Sequence, residues 1–468
     1  MDDFLREIQT SVFRKWINNQ KRDYYHLHQS ETDPDAIIIE NEYCYSYVTF
    51  NPQCIIELCV MNKRTDEMAF YLHFQFKTLK HAISLFEEMD QCIKKMVDQP
   101  MCRLLLCCSG GMTTAFFADK IKNGIKVLNL NMEVAATSYQ KIYNVAQNYD
   151  VILLAPQVSY VKLQVEKVFK NKLVLKIPTQ IFASYNVGAL ITFVEESLKH
   201  KENKYNGYVE PLASMMEIKT NKHVLAVSIN ANGENSHISY RLYNSHQDIV
   251  LDSNIIKSNI KLQDVLDALD TVVLQNEMID VISIALPGVM VEGNVYSGII
   301  EGGNHQLKER LEKRYEKEIY LINDVNAAVV GYYASQNEYK SLAFLFQPIG
   351  RMAGSGIIVS GQLIRGMDHL AGEVALLPLN LSDAYLTLAN TPEGTLELVT
   401  KNIMSIIAIV APEAIVVYSD LILDSQDVSD EIKKSLSQYS LKVYPKIIKV
   451  ENILEYILLG AMILSAKE

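Results

Sequence analysis

Residues 103–114 read Arg-Leu-Leu-Leu-Cys-Cys-Ser-Gly-Gly-Met-Thr-Thr, an apolar run that stops at a Ser-Gly-Gly turn and leads into a stretch of helical spacing, Thr114 to Lys122. A short apolar run closed by turn residues and followed by a helix is the unit from which buried parallel sheets are built. The unit recurs. Apolar strands at Arg103–Cys108, Lys126–Ala136, Asp150–Ala155 and Lys172–Ile177 alternate with helical stretches at Thr114–Lys122, Ser138–Gln147, Val161–Lys170 and Gly188–His200. This alternation predicts a four-stranded parallel-sheet α/β domain over 100–200.

Upstream, residues 1–99 read differently. Phe4, Ile8, Val12 and Trp16 have the spacing of an amphipathic helix; strand-like runs follow at Ala36–Glu40, Tyr43–Phe50, Cys54–Met61 and Met68–Phe76. Leu79, Ile83, Phe86, Met89 and Ile93 then restore a helical stripe over Leu79–Met96. These predict a small α+β domain, with no task assigned to it. Downstream, the polar stretch from His200 opens a linker over 201–220. From 221 the chain starts again with a strand at Val224–Ile229 and a hairpin signal at Asn232-Gly233. A similar device follows: Ser341–Phe346 feeds the turn Gly350–Gly356 and a strand at Ile357–Val359, which predicts two similar halves. The charge-dense stretch Leu307–Glu318 keeps Leu307, Leu311 and Tyr315 on one face, as in a solvated helix.

The balance of 44 Lys plus Arg against 55 Asp plus Glu gives a net charge of −11, and that field repels nucleic-acid phosphates and anionic lipid. No nucleic-acid partner is expected. Hydrophobic residues at 49% and charged residues at 21% are ordinary for a folded chain of 468 residues, which at about 150 residues per domain suggests roughly three domains. The start lacks the basic and apolar segments of a signal peptide and no apolar run is long enough to span a bilayer, so a cytoplasmic protein is expected. The seven Cys all lie at or before Cys108, without a C-x-x-C pair; reduced thiols and no metal site are expected.

Cys108 ends its strand at the turn Ser109, Gly110, Gly111, Met112, Thr113, Thr114. The glycines let successive N–H groups point inward, and the helix that follows adds partial positive charge at the same place, so an anion is favoured there. The same field favours a thiolate at Cys108, below the free thiol value of about 8.5, and makes it a nucleophile toward phosphorus. The position where a phosphatase cradle carries its Arg is Thr114, which suits holding and passing on a phosphoryl group more than hydrolysing it. Read from these residues alone, a buried cysteine at a strand end is equally open.

Cys108-Ser-Gly-Gly-Met-Thr-Thr, with Asp150-Val-Ile-Leu-Leu-Ala-Pro-Gln-Val-Ser-Tyr160, resembles the enzyme IIB component of the lactose/cellobiose (type 3) phosphotransferase system. The resemblance implies Cys108 as acceptor of a phosphoryl group from the histidine of phosphorylated enzyme IIA, with Ser109 to Thr114 as its cradle and Pro156, Gln157 and Tyr160 on the rim. It also implies delivery to sugar at a membrane permease, hence a peripheral membrane contact, and a β-glucoside as candidate sugar.

Ala285-Leu-Pro-Gly288, Leu321-Ile-Asn-Asp-Val-Asn-Ala-Ala328 and Leu363-Ile-Arg-Gly-Met-Asp-His-Leu-Ala-Gly-Glu373 resemble the ROK family of sugar kinases and sugar-responsive repressors. Over 221–468 that implies two actin-like, ribonuclease H-like lobes closing over a sugar, and a homodimer. Asn323-Asp324 after a strand is compatible with a plain turn; it also offers an amide beside a carboxylate able to act as general base. The resemblance places sugar contacts at Asn323, Asp324 and Glu373, with Asp324 as the base. The family's Asp-x-Gly-Gly-Thr turn is here Ser228-Ile-Asn-Ala-Asn232, its Gly-Thr-Gly-x-Gly-x-Gly turn is Gly350-Arg-Met-Ala-Gly-Ser-Gly356, and the His expected after Glu373 is Leu376. Lost glycines and a lost acid argue against ATP; Arg351 could meet a phosphorylated ligand instead. No cofactor is expected. The reading is a phosphotransferase-linked carbohydrate sensor or regulator. An active sugar kinase is the first alternative, and a sugar-responsive repressor the second, disfavoured because 1–99 supplies no basic helix-turn-helix.

Overall fold

The computed structural model describes residues 3–466 except 64–66, 99–101, 111, 129, 131, 171, 200–213, 215–219, 233–234, 292–293, 302–305, 368–369, 423 and 438–443; the side chains of 112–114, 199, 232, 235, 289–291 and 294–296 are also left undescribed. The expected linker at 201–220 thus falls almost wholly outside the described residues.

Helix α1 (Asp3–Asn18) precedes strands β1 (His26–Gln29), β2 (Ala36–Glu40), β3 (Cys44–Asn51), β4 (Ile55–Asn62) and β5 (Glu67–Gln75), and α2 (Leu79–Asp98) closes the region. The strands form an antiparallel meander in chain order. β1 escaped the sequence reading because its His-Leu-His-Gln run carries one apolar residue. α1 forms where expected but presents another face: Phe13 and Ile17 are buried with Trp16 against them, whereas Phe4, Ile8 and Val12 are 65%, 44% and 45% exposed. Only its C-terminal half reaches the core, so the apolar spacing of its first turns has nothing to pack on.

The next parallel unit comprises β6 (Cys102–Cys108), α3 (Met112–Val127), β7 (Met132–Ser138), α4 (Ile142–Val145), β8 (Val151–Leu154), α5 (Lys162–Val168), β9 (Leu173–Lys176), α6 (Thr179–Ser184) and α7 (Val187–Lys199). Its sheet runs β7-β6-β8-β9, all parallel. Two expectations are corrected. The strand expected from Lys126 begins at Met132, because α3 continues through Val127. The single helix expected over Ser138–Gln147 is a chain of short turns, with 3₁₀ segments at Tyr139–Lys141 and Ala146–Asn148 flanking α4.

The third region continues with β10 (Val224–Asn232), β11 (Asn235–Tyr243), β12 (Ile249–Lys257), β13 (Ile260–Lys261), α8 (Leu262–Gln275), β14 (Val281–Leu286), β15 (Val289–Val291), β16 (Asn294–Tyr296), β17 (Ile300–Glu301), α9 (Leu307–Tyr315), β18 (Glu318–Asn323) and α10 (Asp324–Ala334). A second lobe holds β19 (Leu342–Phe346), β20 (Gly354–Val359), β21 (Gln362–Leu363), α11 (Tyr385–Leu388), α12 (Pro392–Ile409), β22 (Ala414–Tyr418), α13 (Ser425–Leu436), β23 (Lys446–Lys449) and α14 (Leu454–Ala466). The lobes repeat one topology. β12-β11-β10-β14-β18 and β21-β20-β19-β22-β23 both have the ribonuclease H-like order in which the first strand is central, antiparallel to the second and parallel to the fourth. The lobes meet where α10 crosses α14: a Cβ on Gly331 would stand 2.0 Å from the Tyr456 carbonyl oxygen, and one on Gly460 1.8 Å from that of Ala327. Only glycine permits so close a crossing.

Residues 1–99 are continuous with the first lobe. Its sheet and the meander are one ten-stranded sheet, β1-β2-β3-β4-β5-β12-β11-β10-β14-β18, joined at the Ile256–Tyr71 pair. One core holds Phe13, Phe74 and Phe86 together with Leu225, Val265 and Ile282. Polar contacts reinforce the seam. Lys257, nearly fully buried, lies 2.6 Å from both Glu88 on α2 and Asp264 on α8. Asp267 is met by His81 at 2.8 Å and by Lys77 at 2.6 Å. Burial alone would raise the Asp267 carboxyl, but the His81 hydrogen bond and the Lys77 charge outweigh it and hold it below its ordinary range. His73 meets Tyr240 Oη at 3.0 Å, and burial brings its imidazole down to about 4, so it is neutral at pH 7.

Candidate functional site

Two centres carry the chemistry-bearing residues, and the parallel unit bridges them. In the first, Cys108 ends β6 in the middle of its sheet, paired in register with Ser138 of β7. Its residue is 6% exposed, while its neighbour Cys107 is fully buried. Burial, and then the charge of Cys108, push the Cys107 thiol up to about 12, which removes it as a nucleophile at neutral pH. Ser109 and Gly110 are exposed, and Gly110 has φ +152°, a conformation that other residues rarely adopt. Four residues beyond Cys108 the 16-residue helix α3 begins, so its positive end lies at the turn. Gly111 falls outside the described residues; Met112, Thr113 and Thr114 form the first turn of α3, with their side chains undescribed. The expected rim is a 3₁₀ segment, Pro156–Val161, on which Tyr160 is 76% exposed.

In the second, Asn323 and Asp324 stand at the β18–α10 junction as expected. Asn323 is the N-cap of α10: its Oδ1 accepts from the Val325 and Asn326 N–H groups at 3.0 and 3.1 Å, and its amide donates to the Gly288 carbonyl at 3.3 Å. The amide assigned to sugar is thus committed to the backbone. Asp324 is 7% exposed, with one carboxylate oxygen accepting from Val325 N–H at 2.9 Å. Burial, with a smaller contribution from the Glu373 charge, raises its carboxyl to about 6. Burial also raises Glu373. A carboxylate poised near 6 can take a proton from a hydroxyl near neutral pH.

Asp324 lines a cleft of about 620 Å³ between the lobes. A second hollow of about 590 Å³ is walled by Ser236, Ser258, Asn259, Pro287, Gly288 and Ser297, among others. Arg351 lines both. Among the described residues, neither Asn323 nor Glu373 lines either hollow. The structure therefore brings Asp324 and Arg351 to one cleft, keeps Glu373 within electrostatic reach of Asp324, and places Cys108 in another domain.

The sequence reading missed the seam between those domains. Tyr139, the residue after Ser138, donates from Oη to Glu393 Oε1 at 2.9 Å, and Glu393 lies in the first turn of α12. Leu421 is 2% exposed because it belongs to the core of the parallel unit, with Ile349 packed beside it. Tyr143 and Phe169, stacked with centroids 5.9 Å apart and planes 18° from parallel, reach the 620 Å³ cleft from the same side. The spacing of Tyr139 and Tyr143 puts two tyrosines on one side of a helical turn, which was the one local signal available.

Residues 103–191 match the sequence model of the PTS system, Lactose/Cellobiose specific IIB subunit, and residues 233–395 match that of the ROK family. The chain joins a IIB region to a ROK region. The oligo-beta-mannoside-specific EIIB component of a PTS system in Bacillus subtilis is 30% identical over 67 residues, 14% of this chain, and the match spans 65% of that relative's length. A ROK family protein from Streptococcus pneumoniae, solved in complex with sucrose, is 18% identical over 52% of this chain and 97% of its own, with a TM-score of 0.41. A ROK hexokinase from Thermus thermophilus is 17% identical over 52% of this chain and 99% of its own, with a TM-score of 0.43. The lactose-specific IIB component domain from Streptococcus pneumoniae is 23% identical over 20% of this chain and 95% of its own, with a TM-score of 0.19. Among the described residues no helix is long and apolar enough to cross a membrane.

Proposed function

We propose that the chain is a cytoplasmic, phosphotransferase-linked carbohydrate sensor, in which Cys108 carries a phosphoryl group and the ROK region binds a sugar or sugar phosphate without ATP-dependent turnover. The observation that supports this best is a contrast: Cys108 keeps a strand-end, helix-start turn suited to an anion, whereas the ATP turns have become Ser228–Asn232 and a turn bearing Arg351. In the charging step the Cys108 thiolate attacks phosphorus on the phosphohistidine of enzyme IIA; the S–P bond forms, the P–N bond breaks, and its electron pair returns to the imidazole. The turn amides stabilise the transferred oxygens, and Cys107 takes no part. Incubation with the general phosphotransferase proteins, a lactose/cellobiose-type enzyme IIA and phosphoenolpyruvate should add one phosphoryl mass to the intact chain and none to Cys108→Ser. An unlabelled wild-type chain overturns the carrier assignment.

One observation favours the kinase reading: Asp324 retains the burial and raised carboxyl of a general base. ATP-dependent sugar phosphorylation that disappears in Asp324→Asn would establish it.

A further inference from the structure

The 620 Å³ cleft has a wall that neither ROK lobe supplies. Tyr143, Asn144, Gln147, Asn148 and Phe169, all from the IIB region, close it on one side, facing Asn230, His237 and Asn254 of the first lobe and Arg351 and Asn390 of the second. Among the described residues the side-chain amides of Asn144, Gln147, Asn148 and Asn254 have no hydrogen-bond partner, so four amides point their donors and acceptors at ligand or water. Burial keeps the His237 imidazole below its ordinary value and therefore neutral at pH 7. The charged groups on the wall are Arg351, Asp324 and Asp420. One cation against two carboxylates, with no glycine-rich amide cradle, is a poor match for a triphosphate. Unpaired carboxamides beside the half-buried rings of Phe346 and Tyr418 match a neutral, polyhydroxylated ligand, whose vicinal hydroxyls both donate and accept.

The geometry points to a composite carbohydrate site: a glycoside held in the inter-lobe cleft with the IIB region as one of its walls, so that ligand fastens the phosphoryl-carrying domain onto the ROK lobes. It rests on the reading of the ROK region as a carbohydrate binder, and adds that the site exists only while the IIB region is docked. The docking contacts are already in place, in the Tyr139–Glu393 hydrogen bond and the burial of Leu421. A ligand that binds only the docked arrangement shifts its population by mass action, and docking reciprocally raises affinity for the ligand.

The test uses the full-length chain, with cellobiose, lactose, a β-mannobiose and ATP as calorimetric probes. The double variant Gln147→Ala/Asn148→Ala changes two amides on the IIB side; an unchanged ligand-free thermal midpoint controls for folding. Binding of at least one disaccharide, at least tenfold weaker in the variant, is expected, together with slower amide hydrogen exchange over 139–148 when that sugar is added. Equal affinity in variant and wild type, or exchange over 139–148 unaffected by a sugar that binds, overturns the composite site and leaves carbohydrate binding standing. Binding of ATP alone, or of no probe, overturns both.

Discussion

Asp324 is a carboxylate held where a neutral group would be more stable. Its side chain is buried, and burial followed by the Glu373 charge raises its carboxyl to about 6, against about 3.9 in an unfolded chain. Because the folded value is the higher one, the folded state holds this proton more tightly. Its contribution to stability is complete below about pH 4 and is lost as the pH rises through 6. Asp324→Asn keeps an oxygen for the Val325 N–H and removes the buried charge. At pH 7 the variant should be more stable than the wild type by about 1–3 kcal/mol, and at pH 4 the difference should vanish. Urea midpoints at the two pH values measure this; a variant less stable at pH 7 would mean that the carboxylate has a partner that the asparagine cannot replace. Asn323-Asp324 and Cys108 to Gly110 were legible because each is announced by its own strand end and helix start. Asn323's use as a helix cap, with its amide on Gly288, was not, since that contact crosses 35 residues.

At the level of elements, the link between the N-terminal meander and the first lobe depends on Lys257 as much as on the single registered pair of β5 and β12. Its ammonium is nearly fully buried, against two carboxylates from different helices. Truncating it would leave Glu88 and Asp264 as neighbouring like charges in a protected site, the situation in which losing one partner of a buried pair costs most. Lys257→Ala is expected to destabilise the protein by about 3–5 kcal/mol, read as a drop in the urea midpoint, while Lys257→Met combined with Glu88→Gln and Asp264→Asn should recover most of it. A single substitution without effect would show that the two carboxylates are already protonated or hydrated. Sequence pattern located β2 to β5 and α2, because their alternation and stripe are local. It could not show that Lys257 lies inside, because its partner Glu88 stands 169 positions earlier in the chain.

At the scale of the whole molecule, the chain order of regions differs from the grouping of cores. Residues 1–99 share one core with the first ROK lobe, across an intervening IIB region whose own core is nearly self-sufficient and takes Leu421 and Ile349 from outside. The repeated lobe topology was foreshadowed by the two strand-turn-strand devices, since each is a local pattern. The ten-stranded sheet was not, because a strand edge has no sequence mark that names its partner. Nor was the Tyr139–Glu393 contact, between residues 254 apart. The core grouping predicts how the chain can be divided. A fragment of residues 221–468 loses the meander that covers β12 and the face of α8, exposing Val265 and Leu269 to water along with an unpaired edge. Apolar area of that kind, at about 25 cal/mol per Å², is comparable to a domain's whole stability. That fragment is expected to aggregate or to lack a cooperative thermal transition, whereas residues 100–200 alone should unfold cooperatively at a lower midpoint than in the full chain. Circular dichroism melts with size-exclusion chromatography on both fragments decide the matter: a soluble, cooperatively melting 221–468 fragment would show that the meander is an accessory to the ROK lobes and not part of their core.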